Sequence, residues 1–363
     1  MFYRLLFFVA LLHLFLYWKL YLCLGAGRWK WAYFGAVLAV LAAPFGERAG
    51  LPARLCEILF ALSITEFVIA GILCAVLIFT DILRLLLGIG DRLAGTANEA
   101  LLTPCRSVSF ALIVVLCFLP YGVYEAWNVK RVDIEFSTKK LPQGIDRLRI
   151  VQVSDVHLGG LYPVGHLKRI MNIVRSAAPD ILVVTGDLVD GNMDARTEES
   201  KLLAENGAKY GAFAVTGNHE AYAGLDQAIA FMEHSGLTVL RGQAVEVAGI
   251  VLAGLDDPAV SGTDEWPDDM HVPEDRFVVL LKHRPGTAEG SDGKFDLQLS
   301  GHTHGGQIWP IRHSVRRRYG YDQGLTKSGN ADVYTSNGAG FWGAPLRFLT
   351  PPEVTVFDLI REK

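Results

Sequence analysis

The chain has 363 residues, of which 51% are hydrophobic, and its formal net charge is −4. This length allows two or three domains, and this charge excludes both a polybasic nucleic-acid-binding protein and a disordered acidic tail. Residues 1–127 carry 9 Lys and Arg against 7 Asp and Glu, whereas residues 128–363 carry 25 against 31. All five cysteines lie in residues 1–127, so the remainder has no thiolate ligands and no disulfides. The sequence therefore predicts a membrane domain over residues 1–127 and a polar globular domain over residues 128–363.

Four apolar stretches in the N-terminal third are candidates for membrane-spanning helices, each of which needs about 20 predominantly apolar residues. They cover about residues 2–24, 31–45, 55–80 and 108–127. The first stretch has no small-residue cleavage site after it, so we expect it to be retained as a helix and not removed as a signal peptide. Lys130 and Arg131, directly after the last stretch, favour a cytoplasmic polar domain by the positive-inside rule. The sequence thus predicts a multi-pass protein of the cell membrane, with the lipid bilayer as a partner.

One acidic residue, Glu66, lies near the middle of the third apolar stretch, where a carboxylate is costly. It is either a proton or substrate site, or a neutral or paired side chain inside the helix bundle. We favour the second interpretation, because no further acidic residue repeats along that helix face.

Beyond residue 128, short β-branched runs alternate with amphipathic stretches, which is typical of an α/β protein. Strands are predicted at residues 132–136, 148–154, 181–185, 212–216, 250–254, 277–281, 297–300, 333–336 and 354–359. Helices are predicted at residues 164–177, 197–206 and 225–236. Nine strands are too many for a simple doubly wound sheet with three helices. We therefore expect two sheets packed face to face, with helices on the outside.

Polar side chains cluster where five of these strands end. The segments are Asp155-Val156-His157, Gly186-Asp187, Gly217-Asn218-His219-Glu220, Lys282-His283 and Gly301-His302-Thr303-His304. The carboxyl ends of neighbouring strands gather their loops into one crevice, and Asp155 and His157 point the same way if their strand continues through them. Carboxylate, amide and imidazole groups suit divalent Mn, Fe or Zn. The donors are too many for one tetrahedral zinc but suit two ions about 3.5–4 Å apart.

This ordered set of motifs resembles the calcineurin-like metallophosphoesterase superfamily, and in particular its membrane-associated bacterial branch. The resemblance covers about residues 148–359 and implies a four-layer α/β/β/α sandwich with two divalent metal ions, Mn being favoured. It implies that one ion is held by Asp155, His157 and His304, that the other is held by Asn218, His283 and His302, and that Asp187 bridges them. It also implies that His219 is catalytic and faces the scissile phosphate. Glu220 either orients His219 or is an ordinary helix-start carboxylate, and Asp190 is interpreted as a loop cap.

A basic segment, residues 308–319, directly follows the histidine pair and mixes apolar residues with positive charges. Its arginines are Arg312, Arg316, Arg317 and Arg318. Such a mixture is typical of surfaces that meet anionic lipid headgroups or substrate phosphates. We predict that these arginines form a rim beside the metal centre, a solvated basic loop being the alternative.

The motifs and the apolar helices together predict a membrane-anchored dimetal phosphohydrolase. It would cleave a phosphodiester or pyrophosphate bond of a lipid, lipid-linked or nucleotide-linked substrate by attack of a metal-bound hydroxide. One alternative is a UDP-2,3-diacylglucosamine pyrophosphatase of lipid A synthesis, and another is a non-catalytic membrane sensor or binding module. We expect no nucleic-acid partner, because the polar domain is acidic and phosphate-backbone binding needs a basic groove. No protein partner is inferred.

Overall fold

The computed structural model of the chain describes residues 2–42, 50–94, 103–159, 162–194, 196–321 and 323–362. The chain divides into two compact units, Met1–Tyr121 and Gly122–Lys363. This division falls a few residues before the domain boundary that we predict at residue 127, so the last turns of the fourth helix belong to the second unit.

The first unit is helical. Its helices are α1 (Phe2–Leu24), α2 (Trp29–Ala42), α3 (Ala53–Ala94) and α4 (Pro104–Trp127). Three of them contain segments that are long and apolar enough to cross a bilayer, namely Phe7–Leu24, Ile58–Gly90 and Pro104–Trp127. Helix α2 has 14 residues, fewer than a perpendicular span needs, and residues 43–45 of the predicted second stretch lie outside the described residues. Helix α3 continues to Ala94, well beyond the predicted end near residue 80.

Polar side chains connect the helices inside this unit. Lys19 of α1 forms an ion pair with Asp81 of α3. His13 Nε2 lies 3.5 Å from Glu66 Oε2, and Cys23 and Cys105 form a disulfide. Glu66 thus lies beside His13 inside the helical unit, and its interpretation as a neutral or paired side chain stays a prediction.

The second unit contains two six-stranded sheets. Its strands are β1 (Lys130–Thr138), β2 (Arg147–Val153), β3 (Ile181–Thr185), β4 (Ala212–Val215), β5 (Leu237–Val239), β6 (Gln243–Val247), β7 (Ile250–Gly254), β8 (Val278–Leu281), β9 (Leu297–Ser300), β10 (Gly324–Ser328), β11 (Ala331–Thr335) and β12 (Glu353–Arg361). The first sheet has the order β1-β12-β2-β3-β4-β5 and the second has the order β10-β11-β9-β8-β7-β6. All nine predicted strands are present, and β5, β6 and β10 are additional.

Strand direction in the two sheets determines where the loops gather. Strands β2, β3, β4 and β5 are parallel, as are β11, β9, β8 and β7. Gln152, at the end of β2, donates through Nε2 to the backbone carbonyl of Ser300 at the end of β9, with a separation of 3.0 Å. The carboxyl ends of β2 and β9 therefore meet, and the loops after them share one edge of the two sheets.

The helices of the second unit differ in length and position. They are α5 (Val164–Ala177), α6 (Thr197–Ala204), α7 (Asn218–Ala223), α8 (Leu225–His234), α9 (Pro258–Ser261) and α10 (Arg312–Tyr319). The three predicted helices correspond to α5, α6 and α8. The basic segment, residues 308–319, contains α10, so its four arginines lie on a helix.

Three buried apolar clusters hold these layers together. The cluster between the sheets includes Ile150 and Val183 of the first sheet and Leu252 and Leu281 of the second. A second cluster packs α5, α6 and α8 on the outer face of the first sheet. A third covers the outer face of the second sheet with loop residues such as Trp266. The architecture confirms the predicted α/β/β/α sandwich, with apolar helices before it in the chain, and its fourth layer is mostly loop.

Candidate metal centre

Six of the seven predicted ligands meet at the shared sheet edge in three overlapping clusters. The clusters are Asp155, His157 and His304; His157, Asp187 and His219; and Asp187, His283 and His302. In each cluster the candidate ligand atoms lie within 4.8 Å of one another. Asp187 belongs to two of them, which suits the bridging role that the resemblance implies. Asn218, the seventh, is the buried first residue of α7 and directly precedes His219.

The backbone is strained at these positions. Five candidate ligands have positive φ angles: Asp155 at 54°, His157 at 57°, Asp187 at 51°, His302 at 69° and His304 at 49°. The left-handed region costs a non-glycine residue on the order of 1–3 kcal/mol and concentrates at functional sites. Strand β2 ends at Val153, so our expectation that Asp155 and His157 point the same way along a continuing strand is wrong. These two side chains meet because the chain turns sharply between them.

Two glycines allow the ligand loops to approach each other closely. A side chain at Gly217 would collide with the carboxylate of Asp187, and a side chain at Gly301 would collide with Ser154 and Asp155. Only a hydrogen atom fits at either position. The glycines of the Gly-Asn-His-Glu and Gly-His-Thr-His motifs are therefore required by the packing of the site.

The donor atoms of the clusters face one another at short distances. His157 Nε2 and His304 Nε2 lie 3.0 Å apart, and His283 Nε2 lies 3.1 Å from Asp187 Oδ2. His302 Nδ1 lies 3.2 Å from His283 Nε2. Asn218 Oδ1 is buried and has no hydrogen-bond partner within the described part of the chain, although buried acceptors are normally satisfied. Converging imidazole and carboxylate atoms with an orphaned amide oxygen fit two divalent cations.

Burial and neighbouring charges shift the pKa values of the candidate ligands in different directions. Burial opposes ionisation of Asp187, but the neighbouring His283 outweighs it and places the pKa of Asp187 well below its usual value. Burial would lower the pKa of His283, but Asp187 reverses this and raises that pKa to about 10. Burial, and then the charge of His283, lower the pKa of His302 to about 3. Burial also places the pKa of His304 well below its usual value. His302 and His304 are therefore neutral at physiological pH, the form that binds cations.

The predicted catalytic residue, His219, lies at the second residue of α7. Its Nδ1 is hydrogen-bonded to the carboxylate of Asp190, and its backbone N–H donates to Asp187 Oδ1 at 2.8 Å. The rings of Tyr222 and Trp342 lie 5.3 Å and 6.1 Å from the His219 ring, centroid to centroid. His219 thus combines a fixed ring orientation with aromatic neighbours on the open side of the site.

Two acidic residues lie near His219 and have different contacts. Asp190, which we interpret as a loop cap from the sequence, instead contacts His219 and lies 3.5 Å from His157 Nδ1. Glu220 accepts hydrogen bonds from the backbone N–H groups of Gly217, Asp187 and Val189. Glu220 is therefore a buried carboxylate that holds the ligand loops together, and Asp190 is the residue that orients His219. The spacing of three residues after Asp187 is the only sequence signal that could have pointed to Asp190.

The second ring nitrogen also has a partner in three of the candidate ligand histidines. His283 Nδ1 lies 2.8 Å from the carbonyl of Thr185. His304 Nδ1 lies 3.1 Å from Arg347 Nη2, and Arg347 is fully buried, with its backbone N–H donating to the carbonyl of Gly122. His302 Nε2 lies 2.9 Å from the hydroxyl of Tyr319 on α10. Sequence reasoning missed Arg347 and Tyr319, since neither belongs to a motif that carries metal ligands.

The four predicted rim arginines lie on α10, whose last residue, Tyr319, contacts the candidate ligand His302. Arg316, Arg317 and Arg318 are exposed, and Arg312 is partly buried. Trp309 and Ile311, directly before the helix, are 46% and 52% exposed. The structure thus places a basic and partly apolar surface beside the clustered histidines.

Comparisons with known proteins identify several similar sequences and structures. Residues 148–306 match the family model of the calcineurin-like phosphoesterases. An uncharacterised metallophosphoesterase of Aquifex aeolicus is 36% identical over 66% of this chain and 95% of its own length. A transmembrane protein with a metallophosphoesterase domain from Danio rerio is 29% identical over 81% of this chain and 72% of its own. The crystal structure of a dimetal phosphatase from Danio rerio covers 53% of this chain and 88% of its own, with a TM-score of 0.34 and 12% identity.

The family match covers the part of the chain that carries the clustered ligands. Members of this family bind two divalent metal ions, and the donor set described above has the composition to hold them. The chain belongs to the calcineurin-like metallophosphoesterase family and is a metal-dependent phosphoester hydrolase.

Proposed function

We propose that the protein is a membrane-anchored dimetal phosphohydrolase that cleaves a phosphodiester or pyrophosphate bond of a lipid or lipid-linked substrate. The observation that carries the proposal is the convergence of Asp155, His157, Asp187, His283, His302 and His304 into three overlapping ligand clusters. The orphaned Oδ1 of Asn218 adds a seventh donor.

The roles of the ligands follow from their clusters. Asp155, His157 and His304 would hold one ion, and His283 and His302 would hold the other with Asn218. Asp187, which is common to two clusters, would contact both ions. When bound, two divalent ions supply a water of lowered pKa as the nucleophile and neutralise charge on the phosphate oxygens.

His219 would act on the leaving group. Its Nδ1 is held by Asp190, which leaves Nε2 free to donate a proton to the departing oxygen. A carboxylate beside the far nitrogen fixes the ring orientation, as in other acid–base dyads. The rings of Tyr222 and Trp342 beside His219 would contact the departing group.

Two features support a substrate in or on a membrane. Three helices have the length and apolarity of membrane spans, and the Danio rerio relative is named as a transmembrane protein. Beside the ligand clusters, the exposed Arg316, Arg317 and Arg318 of α10 follow the exposed Trp309 and Ile311. Basic residues next to interfacial aromatic and aliphatic side chains favour anionic headgroups.

The decisive experiment uses full-length protein purified in detergent and loaded with Mn²⁺, Fe²⁺ or Zn²⁺. We expect metal-dependent hydrolysis of bis-p-nitrophenyl phosphate, and none by the Asp187→Ala variant. Mass spectrometry of lipid extracts incubated with wild type and with Asp187→Ala would then identify the natural substrate. Release of UMP from UDP-2,3-diacylglucosamine would assign the lipid A activity. Loaded protein that is inert but still binds a nucleotide or lipid would be a sensor, and the proposal would be wrong.

A further inference from the structure

Helix α10 packs against the loop that carries two candidate ligands. We call residues 302–306 the histidine loop. At the start of α10, a side chain at Gly306 would come within 2.7 Å of the Cα atom of Arg312, so this glycine lets the helix lie directly on the loop. At its end, the Tyr319 hydroxyl lies 2.9 Å from His302 Nε2, and the two rings are 5.4 Å apart. The helix is therefore held against the histidine loop at both ends.

The hydrogen-bond geometry of His302 makes the contact with Tyr319 specific. His302 Nδ1 lies 3.2 Å from His283 Nε2 and is the nitrogen that faces the cluster with Asp187. A neutral imidazole can bind a cation through Nδ1 only if its proton is on Nε2. That Nε2–H then needs an acceptor, and the Tyr319 hydroxyl lies at hydrogen-bond distance from it. A tyrosine hydroxyl can donate or accept a hydrogen bond, so this contact is compatible with the tautomer that ligation requires.

We propose that Tyr319 is a positioning residue that fixes the ligating tautomer and ring orientation of His302. This inference depends on the proposed function, because it takes His302 to hold a divalent ion. Partners of the second imidazole nitrogen commonly change metal affinity by about 10- to 100-fold when they are removed. Helix α10 would thus contribute an uncharged group that completes one half of the metal centre, in addition to the arginines on its surface.

The substitution Tyr319→Phe tests this role, because it removes one oxygen and keeps the ring. Tyr321→Phe is the matched control, since it makes the same change two residues further along. Both variants are compared with wild type as full-length proteins, after thermal unfolding has verified that they are folded. The first measurement is a titration with Mn²⁺, in which electron paramagnetic resonance gives the affinity for each of the two equivalents. We expect one equivalent to bind about 10-fold or more weakly in Tyr319→Phe only.

A second measurement does not depend on metal. In metal-free protein labelled with ¹⁵N-histidine, nuclear magnetic resonance reports which nitrogen of His302 carries the proton, with His302→Gln identifying the signal. We expect the Nε2–H form in wild type and in Tyr321→Phe, and loss of that preference in Tyr319→Phe. If Tyr319→Phe binds both equivalents as wild type does and keeps the same tautomer, the inference is overturned. If wild type itself takes up no metal, the proposed function fails instead, and the tautomer measurement still decides the role of Tyr319.

Discussion

The imidazole of His219 is hydrogen-bonded through Nδ1 to the carboxylate of Asp190. Asp190 has a pKa of about 2, because the hydrogen bonds from His157 and His219 outweigh the opposing effect of burial. The carboxylate is therefore charged at any physiological pH. This carboxylate holds the His219 ring through Nδ1 and so fixes the position of Nε2, the nitrogen that a general acid would use.

The first prediction concerns this pair. Asp190→Asn removes the charge but keeps the shape, so we expect turnover of bis-p-nitrophenyl phosphate to fall by about 10-fold or more. Metal content should stay at the wild-type level, because Asp190 belongs to none of the three ligand clusters. Asp194→Asn, in an exposed position further along the same loop, is the control. Unchanged turnover in Asp190→Asn would show that the pair is only structural.

His219→Ala tests the predicted division between catalysis and metal binding. We expect turnover to fall by about 10²-fold or more, since the proton donor and the electrostatic contact with the phosphate are both lost. The metal content, measured by inductively coupled plasma mass spectrometry, should not change. His219 shares a cluster with His157 and Asp187, so loss of metal from this variant would make it a ligand and contradict its catalytic role.

Asp187→Ala removes the carboxylate that two clusters have in common. We expect loss of both metal ions and of all activity, because each half of the site loses a charged donor. The same metal analysis checks this result against Asp275→Ala, which removes an exposed carboxylate elsewhere in the second unit. Retention of one full equivalent of metal would exclude a bridging role for Asp187.

The basic surface of α10 is tested by charge reversal. Arg316→Glu combined with Arg317→Glu should weaken binding to vesicles that contain anionic lipids, because exposed arginines attract anionic headgroups by roughly 1 kcal/mol each. Hydrolysis of a small soluble ester should stay close to the wild-type rate. Vesicle co-sedimentation and the ester assay measure the two effects separately. An equal loss in both assays would contradict the rim interpretation.

A pH prediction arises in the first sheet, where Asp358 of β12 pairs with Arg147 and Arg149 of β2. Burial opposes ionisation of Asp358, but the two arginines lower its pKa to about 2, below the value of about 3.9 in an unfolded chain. A carboxylate with a lowered folded-state pKa stabilises the fold above its unfolded pKa, and the contribution disappears as the pH falls through the folded value. Wild type should therefore unfold at a higher temperature than Asp358→Asn at pH 7. This difference should decrease as the pH falls from 4 to 2. A constant difference would contradict this account.

Buried, uniformly apolar strands could be predicted from the sequence, whereas two partly or mostly exposed strands, β6 and β10, could not. All five residues of β3 (Ile181–Thr185) are buried, and its predicted bounds are those of the structure. Strand β6 (Gln243–Val247) is partly exposed along its length, and β10 (Gly324–Ser328) is also mostly exposed. Both are edge strands, whose sequences carry little apolar signal. Helix α10 was missed for a related reason, because a segment of mostly charged residues has no apolar stripe.

The candidate ligands could be proposed from the sequence because they lie in short polar motifs that directly follow apolar strands. The residues that contact the candidate ligand histidines could not be predicted, because each contact joins distant parts of the chain. Tyr319 is 17 residues from His302, and Arg347 is 43 residues from His304. The sharp turns at Asp155 and His157 were also not expected, since their positive φ angles are unfavourable for these residue types in isolation.

The backbone contacts of Arg347 and Leu349 determine where a soluble fragment of the protein should begin. The N–H of Arg347 donates to the carbonyl of Gly122, at 3.0 Å, and the N–H of Leu349 donates to Glu125, at 2.7 Å. A truncation at residue 128 would remove both acceptors, and the segment that lies against His304 would lose its support. Expression designs for crystallography should therefore keep the final turns of α4, starting no later than Gly122.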